Sequence, residues 1–160
     1  MDQIIENVRR LSRDLSPSIL EDLGLSAALR WLIEDSAKHF NIKASVDVAD
    51  IDDLFPLESQ ITIYRIFQEA FTNIGKHAQA THVSAVIKRD ENRVSFLLQD
   101  DGKGFDIRQI RVGYPAERGL GLAAMDERTR MLGGHLDISS QKNKGTKVTF
   151  NISTAKGGNV

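Results

Sequence analysis

Residues 57–80 read LESQITIYRIFQEAFTNIGKHAQA and form the longest helix-periodic stretch of the chain. At about 100° per residue, the apolar residues of this stretch share one side, which carries Ile63, Phe67, Ala70, Phe71 and Ile74. Another side carries Glu69, Asn73, Lys76 and His77. No proline interrupts the pattern, although Gly75 costs about 1 kcal/mol relative to alanine. The stretch predicts a central helix over residues 57–80 whose apolar side packs on a sheet.

Apolar and polar residues alternate on both sides of this helix, which is typical of half-buried strands. The alternating segments are residues 42–48 before the helix and residues 83–87, 94–98, 136–138 and 148–152 after it. Short polar turns join the later segments in pairs, so they predict hairpins. Further helices are predicted over residues 26–40 and 120–132, the latter ended by Gly133-Gly134. We predict an α+β fold, a two-layer α/β sandwich whose mixed, mainly antiparallel sheet is covered by helices on one face.

The remaining segments suggest how the chain is organised. Residues 1–17 carry an apolar seam typical of a helix that packs on a partner helix, formed by Ile4, Val8, Leu11 and Leu15, and Ser16-Pro17 is expected to end it. Residues 18–41 are a linker and a first helix. The main domain spans residues 42–154 and contains a glycine-rich and charged loop over residues 100–118. Residues 155–160 are expected to be a disordered tail.

Composition limits the classes of ligand. The 160 residues include 21 Lys+Arg, 22 Asp+Glu and no cysteine. The near-neutral balance gives no global field for nucleic acid or an anionic membrane, so direct nucleic-acid binding is not expected. The absence of cysteine excludes disulfides and thiolate zinc sites. No stretch reaches the roughly 20 apolar residues of a membrane helix. We expect a cytoplasmic location and a small or local ligand.

The polar side of the central helix carries residue types suited to a phosphate and its metal. Glu69 could orient a nucleophile, Asn73 could supply an oxygen to Mg²⁺, and Lys76 could meet phosphate as a point charge. A solvated helix face is the alternative that periodicity alone leaves open.

Two glycine-rich segments follow the central helix. Residues 100–105 read DDGKGF at the end of a strand, where a carboxylate could accept hydrogen bonds from an adenine amino group. Residues 118–122 read RGLGL at the start of a helix, a position that favours anions. They also fit a dinucleotide fingerprint, but neither a preceding buried strand nor a parallel βαβ pattern supports it. The chain lacks a Walker A sequence, and Gly145-Thr146 alone reads as a hairpin turn.

Together these motifs resemble the GHKL, or Bergerat, ATPase domain shared by DNA gyrase, a heat-shock chaperone family, histidine kinases and MutL proteins. The resemblance covers about residues 42–153. It implies that Asp100 reads adenine, that Asn73 binds Mg²⁺, and that Glu69 is the candidate base. It also implies that Lys76 takes the phosphate-side position and His77 the nucleotide-side position. The first glycine box corresponds to Gly102, Gly104 and Phe105, and the second box, at the end of the lid, to Gly119, Leu120, Gly121 and Leu122. The last box corresponds to Gly145 and Thr146. The lid, residues 105–118, should be mobile without nucleotide.

Within that superfamily, the stretches YRIFQEAFTNIGKHAQAT, DDGKGF, RGLGLAAMDERTRMLGG and LSPSILEDLGLSAALRWL resemble NarX-like two-component sensor histidine kinases. The last stretch resembles the end of their dimerisation helix. Two departures stand out. Gly75 occupies a position where a better helix former is usual, which should loosen the helix. None of the four histidines is followed by the acidic residue expected after the phosphoacceptor, so the chain is expected to be part of a longer kinase and unable to autophosphorylate by itself.

The resemblance implies an activity and partners. The domain would bind ATP and Mg²⁺ and transfer the γ-phosphoryl to a histidine on the dimerisation helices of the parent kinase, for onward transfer to a response regulator with a DNA-binding output domain. The parent would be a homodimer and could be membrane-anchored. A non-catalytic ATP sensor, an anti-sigma-factor-type serine kinase and a stand-alone ATPase are the alternatives.

Overall fold

The computed structural model describes residues 16–108 and 116–154, with side chains described from residue 18 and, in the second range, from residue 121. The helices and strands in chain order are α1 Ser16–Leu23, α2 Leu25–His39, β1 Lys43–Val48, α3 Leu57–Asn73, a π turn Ile74–Ala78, β2 His82–Arg89, β3 Arg93–Asp100, α4 Ala116–Met131, β4 His135–Ser140 and β5 Thr146–Ser153. The expected seam of residues 1–15, the centre of the expected lid and the expected tail lie outside the described residues.

The five strands form one mixed sheet in the order β1-β2-β3-β5-β4. Strand β1 pairs with β2 in parallel, and the other neighbours are antiparallel. Burial alternates along β2, β3 and β5, so one face of the sheet is covered and the other is more open. The predicted α+β class and the mixed, mainly antiparallel sheet are therefore confirmed.

Aromatic packing joins the central helix to the sheet. Phe96 of β3 and Phe150 of β5 stack at 4.4 Å between ring centroids, and Phe67 of α3 meets them edge-on at 6.0 and 6.2 Å. Edge-on and offset-stacked rings add to the stabilisation that burial alone provides. All three side chains are at most 3% exposed. The apolar side of residues 57–74 thus lies on the centre of the sheet, and its polar side is turned toward α4.

The central helix differs from the prediction in its last turn. Regular α-helix ends at Asn73, and residues Ile74–Ala78 form a π turn. A methyl group on Gly75 would lie at most 2.5 Å from three ring carbons of Phe40, the residue that follows α2. A side chain at residue 75 would therefore displace that ring, and glycine allows the ring to pack against the helix backbone. The structure gives a packing reason for the departure noted at Gly75.

The N-terminal helices are held in part by a distant segment. Helix α1 begins at Ser16, and Pro17 lies in its first turn, where a missing N–H costs no intrahelical bond. The helix that Ser16-Pro17 was expected to end lies outside the described residues, so that end stays a prediction. The N-terminus of α2 is capped from a distant segment. Asp52 accepts the backbone N–H of Ser26 at 2.7 Å, and the Ser26 hydroxyl accepts that of Ile51 at 2.9 Å. The connector between β1 and α3 thereby holds the start of α2.

The last helix is longer than predicted at its N-terminus. Residues 100–118 were expected to be a loop, but α4 begins at Ala116 because the sequence that follows Pro115 is rich in helix-forming residues. Its C-terminus agrees with the prediction. Gly133 has a φ of 74°, and the N–H of Gly134 donates to the Thr129 carbonyl at 3.0 Å. This left-handed glycine cap ends the helix before β4.

Candidate nucleotide-binding site

A cleft of about 500 Å³, open mouth included, lies between α3 with its π turn, the ends of β3 and β5, and α4. Several residues named from the sequence line it together, and these are Asn73, His77, Asp100, Gly104, Phe105, Leu122 and Thr146. Its other walls are mainly apolar, formed by Ala70, Ile74, Ala78, Leu98, Met125 and Val148. Sequence reasoning had assigned these six to the core or left them without a role. A cleft that combines apolar walls with a few polar groups is the usual form of a small-molecule site.

Asp100 supplies the carboxylate of this cleft. The residue is 5% exposed, and one carboxylate oxygen accepts the backbone N–H of Gly102 at 2.8 Å. Burial raises the pKa of this carboxyl, with a further upward push from the neighbouring Asp101, while backbone N–H groups of Gly102 and Thr146 act in the opposite direction. The carboxylate therefore lies in an environment where an additional hydrogen-bond donor from a ligand would stabilise its charged form.

The adjacent carboxylate, Asp101, has a structural role that the sequence did not indicate. It accepts the backbone N–H groups of Thr81 and His82 at 2.8 and 2.9 Å and also the Thr81 hydroxyl. The Thr81 hydroxyl and the His82 N–H hold the pKa of Asp101 well below its usual range. Asp101 thus links the start of β2 to the end of β3. The two neighbouring aspartates therefore have different roles, since Asp100 is buried in the cleft and Asp101 holds two strands together.

Asn73 and Glu69 face the start of α4. A methyl group on Gly121 would lie 2.5 Å from Glu69 Oε1 and 3.4 Å from Asn73 Oδ1, so glycine allows the two helices to approach here. Within the described part of the chain, Asn73 Nδ2 is buried and has no hydrogen-bond partner. A buried amide with an unsatisfied atom is uncommon and calls for an explanation such as a missing ligand. Rotation of the amide plane exchanges its oxygen and nitrogen, so either atom could face such a ligand.

Lys76 and His77 separate in the π turn. His77 lines the cleft, whereas Lys76 is exposed and is absent from its walls. The helical wheel had placed both residues on one side with Glu69 and Asn73. The wider π turn changes the angle between successive side chains, so the regular 100° step no longer applies beyond Asn73.

The glycines near the cleft allow several backbones to pass close to one another. A methyl group on Gly102 would collide with the Ala78 carbonyl, and one on Gly145 would collide with the Asp100 carbonyl. Gly104 and Gly145 also have φ values of 59° and 75°. The last box therefore supports the strand end that carries Asp100. Gly119 and Leu120 lie in the first turns of α4, where side chains are outside the described residues.

Ser140, at the end of β4, connects this cleft to the segment after β3 and was missed from the sequence. Its hydroxyl accepts the backbone N–H of Phe105 at 3.0 Å and lies 2.8 Å from Thr146 Oγ1. The sequence shows only that a polar residue ends this strand shortly before the Gly-Thr turn. Polar residues are common at strand ends, so this pattern does not single out Ser140.

No protein-only metal cage is present in the described ranges, because they contain no group of three or more His, Cys, Asp or Glu side chains arranged to hold a metal ion. Mg²⁺ often binds proteins through one or two side-chain oxygens together with ligand phosphates and water. Asn73 fits that mode if its amide oxygen, rather than the unsatisfied Nδ2, faces the ion.

A family model supplies the decisive comparison. The model for histidine kinase-, DNA gyrase B-, and HSP90-like ATPases matches residues 58–156. The chain belongs to this family. The residues that match the family model begin in α3 and include every residue that lines the cleft. The fold class predicted from the sequence resemblance agrees with this membership.

Curated relatives of this ATPase-family domain are named as sensor kinases. It is 38% identical to the sensor histidine kinase MctS of Rhizobium johnstonii over 91% of this chain and 31% of the relative. It is 36% identical to the oxygen sensor histidine kinase NreB of Staphylococcus carnosus over 95% of this chain and 43% of the relative. The chain therefore spans less than half the length of either relative.

A solved structure shares the fold of the domain. The blue-light activated histidine kinase EL346 of Erythrobacter litoralis matches with a TM-score of 0.75 and 23% identity, covering 98% of this chain and 51% of that one. In the described part of our chain, no helix combines the length and apolar character needed to cross a membrane.

Proposed function

We propose that this chain is the ATP-binding catalytic domain of a sensor histidine kinase. It would pass the γ-phosphoryl of ATP to a histidine on a dimerisation helix, from which a response regulator would receive it. The family match and the names of the relatives support this proposal. The observation that carries it is the buried carboxylate of Asp100 in a cleft with otherwise mainly apolar walls.

The apolar walls and the carboxylate fit an adenine base. Flat faces of the ring would contact residues such as Ile74, Leu98 and Met125, which lie on different sides of the cleft. The exocyclic amino group is a donor, and the Asp100 carboxylate is an acceptor in a site where water competes little. Burial raises the pKa of Asp100, so a donor that favours its charged form would offset part of that cost.

The polar face of α3 would hold the metal-bound phosphates. Asn73 is the proposed Mg²⁺ ligand through its amide oxygen, which the amide flip would bring to the position of the buried and unsatisfied Nδ2 in the described residues. Glu69 lies beside it against Gly121 and is the candidate group for orienting the accepting histidine. Lys76 is exposed in the π turn that follows α3, and its long side chain would have to reach the phosphates from outside the cleft walls to act on them as a point charge.

The start of α4 would form the other side of the phosphate site. Gly119 lies in its first turn, where unpaired backbone N–H groups and the helix dipole favour anions. Because the helix begins at Ala116 rather than near residue 120, as the sequence predicted, the N–H groups of Leu120, Gly121 and Leu122 are paired within it, and Gly121 would contribute by letting the helix approach Glu69 and Asn73. When bound, Mg²⁺ neutralises phosphate charge in phosphoryl transfer. The residues of this chain would contribute positioning and electrostatic stabilisation, which are the main requirements of that reaction.

The proposal extends to the longer protein. We infer that the parent kinase is a homodimer, that residues 1–17 end its dimerisation helix, that residues 18–41 link this helix to a catalytic domain over residues 42–154, and that residues 155–160 are a tail. We also infer that catalysis occurs in the cytoplasm and that the response regulator carries a DNA-binding output domain.

Isothermal titration with ATP, ADP and GTP, with and without Mg²⁺, tests the binding site. We expect preference for adenine nucleotides and a gain of ATP affinity with Mg²⁺. Asp100→Asn and Asn73→Asp should each weaken ATP binding by about 10- to 100-fold, the usual effect of losing a hydrogen bond to a charged group or of placing a charge next to phosphate. Asp137→Asn, at an exposed carboxylate on β4, is the control.

Unchanged ATP affinity in both site variants would show that the nucleotide binds elsewhere. Phosphotransfer from ATP to a separately supplied dimerisation domain tests the kinase activity. If the chain binds ATP but phosphorylates no histidine on dimerisation domains from related kinases, the non-catalytic ATP sensor becomes the better description.

A further inference from the structure

Ser140 uses its hydroxyl completely, although it lies outside the cleft wall. The hydroxyl accepts the Phe105 N–H at 3.0 Å, lies 3.1 Å from the Gly145 carbonyl oxygen and lies 2.8 Å from Thr146 Oγ1. A hydroxyl has one hydrogen to donate and two lone pairs that accept. Because the Phe105 N–H donates to Ser140, the hydroxyl hydrogen of Ser140 can point to either of the other two partners, the Gly145 carbonyl or Thr146 Oγ1.

That choice determines what Thr146 offers to the cleft. If Ser140 donates to the Gly145 carbonyl, the Thr146 hydroxyl donates to Ser140 and presents only lone pairs to a ligand. If Ser140 donates to Thr146, the hydrogen of Thr146 can point to a ligand instead. The contact of the Ser140 hydroxyl with the Gly145 carbonyl is longer than its contact with Thr146 Oγ1. A ligand that accepts a hydrogen bond from Thr146 can therefore favour the arrangement in which Ser140 donates to Thr146.

Thr146 and Asp100 act on the ligand from adjacent positions. They are cross-strand partners in the β3–β5 ladder, and both line the cleft. An ionised Asp100 can only accept hydrogen bonds. If the Thr146 hydroxyl donates, the protein presents an acceptor (Asp100) next to a donor (Thr146) to the edge of the base. A 6-aminopurine presents the complementary edge, with a donor amino group next to the N1 acceptor. A 6-oxopurine presents the reverse, an O6 acceptor next to an N1–H donor.

We propose that Ser140 is a positioning residue that determines the base selectivity of this cleft, by orienting the Thr146 proton for 6-aminopurine nucleotides and by holding the Phe105 backbone against the end of the sheet. The inference rests on the proposed function, since it assumes that the base lies beside Asp100. The Phe105 contact is independent of that assumption, because it is a bond of the protein alone.

The test compares ATP with ITP, whose bases differ only at the edge in question. Dissociation constants are measured by titration calorimetry for the unmodified chain, Ser140→Ala and Ser140→Thr. We expect Ser140→Ala to lower the preference for ATP over ITP by about 5- to 10-fold, the effect of misdirecting one hydrogen bond. Ser140→Thr keeps a hydroxyl and should retain the preference. Ser139→Ala, at the exposed neighbouring residue, is the matched control.

A second measurement needs no nucleotide. Amide hydrogen exchange at Phe105, followed by NMR, should be about 5-fold faster or more in Ser140→Ala and unchanged in Ser139→Ala, because only the former loses the acceptor. If Ser140→Ala does not fold, Thr146→Val removes the partner hydroxyl and should reduce the same ATP to ITP preference.

The outcomes separate the two proposals. If the unmodified chain binds neither nucleotide, the proposed function fails and the selectivity role fails with it. If ATP binds but the ATP to ITP preference is equal in the unmodified chain and Ser140→Ala, only the role of Ser140 is overturned. A preference lost equally in Ser139→Ala would also overturn it, because the effect would then belong to the strand rather than to this hydroxyl.

Discussion

The contact between Phe40 and Gly75 gives a prediction in which the sign of a mutational effect depends on a second residue. In Gly75→Ala, the added methyl group would lie at most 2.5 Å from three ring carbons of Phe40. Carbon atoms normally approach to about 3.5–4.0 Å, so the ring must move by roughly 1 Å or more. Overpacking of this kind costs about 1–3 kcal/mol. The better helix propensity of alanine offsets up to about 1 kcal/mol, so the variant should be destabilised by as much as about 2 kcal/mol.

Removal of the ring should reverse this effect. Phe40 is half-buried, so Phe40→Ala should cost less than the roughly 3–5 kcal/mol of a fully buried phenylalanine. In that background the methyl group at residue 75 meets no ring, and Gly75→Ala should stabilise by about 0.5–1 kcal/mol through helix propensity. The coupling between the two substitutions should therefore be about 1–3 kcal/mol, as found for residues in direct contact.

Urea denaturation of the four proteins, followed by far-UV circular dichroism, measures this cycle. Free energies of unfolding come from linear extrapolation, and equal slopes would show that the unfolded states are comparable. If the two substitutions are additive within about 0.5 kcal/mol, the packing explanation of Gly75 is wrong. Stabilisation by Gly75→Ala alone would refute it as well, because helix propensity would then outweigh any displacement of the ring.

Three further predictions concern stability. Ser26→Ala and Asp52→Ala should each lower the free energy of unfolding by about 1 kcal/mol, and the double variant should lose less than the sum, since both remove the cap of α2; full additivity in urea melts would contradict a shared cap. Folding lowers the pKa of Asp101, so its ionised form stabilises the fold above its unfolded pKa of about 4, and this stabilisation is lost as the pH falls below that value. Asp101→Asn should therefore make the free energy of unfolding depend less on pH in the acid range. An unchanged pH dependence would argue against this role. Gly145→Ala should destabilise far more than Gly133→Ala, by about 2 kcal/mol or more, because both have φ near 75° but only the first methyl group would meet a neighbour within 4 Å; equal thermal shifts would show that φ alone matters.

Local patterns in the sequence were sufficient for the sheet and its helical cover. The alternation around Phe96 and Phe150 indicated which face of the sheet is buried, and the periodicity of residues 57–74 indicated which face of α3 meets it. These elements could be predicted because each is stabilised by burial of a regular apolar pattern. The glycine motifs and Asp100 could be singled out because their order along the chain resembles a known family.

Other features depend on contacts between residues far apart in the sequence. The π turn after Asn73 is associated with a ring from residue 40, and no local pattern contains that information. The cap of α2 comes from Asp52, 26 residues away from Ser26. The role of Ser140 depends on the Phe105 backbone, 35 residues earlier. A helical wheel likewise could not separate Lys76 from His77, because it assumes a regular helix throughout.

The position of β5 inside the sheet, rather than at its edge, has a consequence for biosynthesis. This strand lies between β3 and β4, although it follows both in the chain. On a ribosome that adds about 5–20 residues per second, roughly 2–10 s separate the emergence of Asp100 from that of Thr146. During that interval one edge of β3 awaits its partner and could pair with another nascent chain. The cleft cannot be complete before β5 has been synthesised, because Thr146 and Val148 of this strand are among its walls.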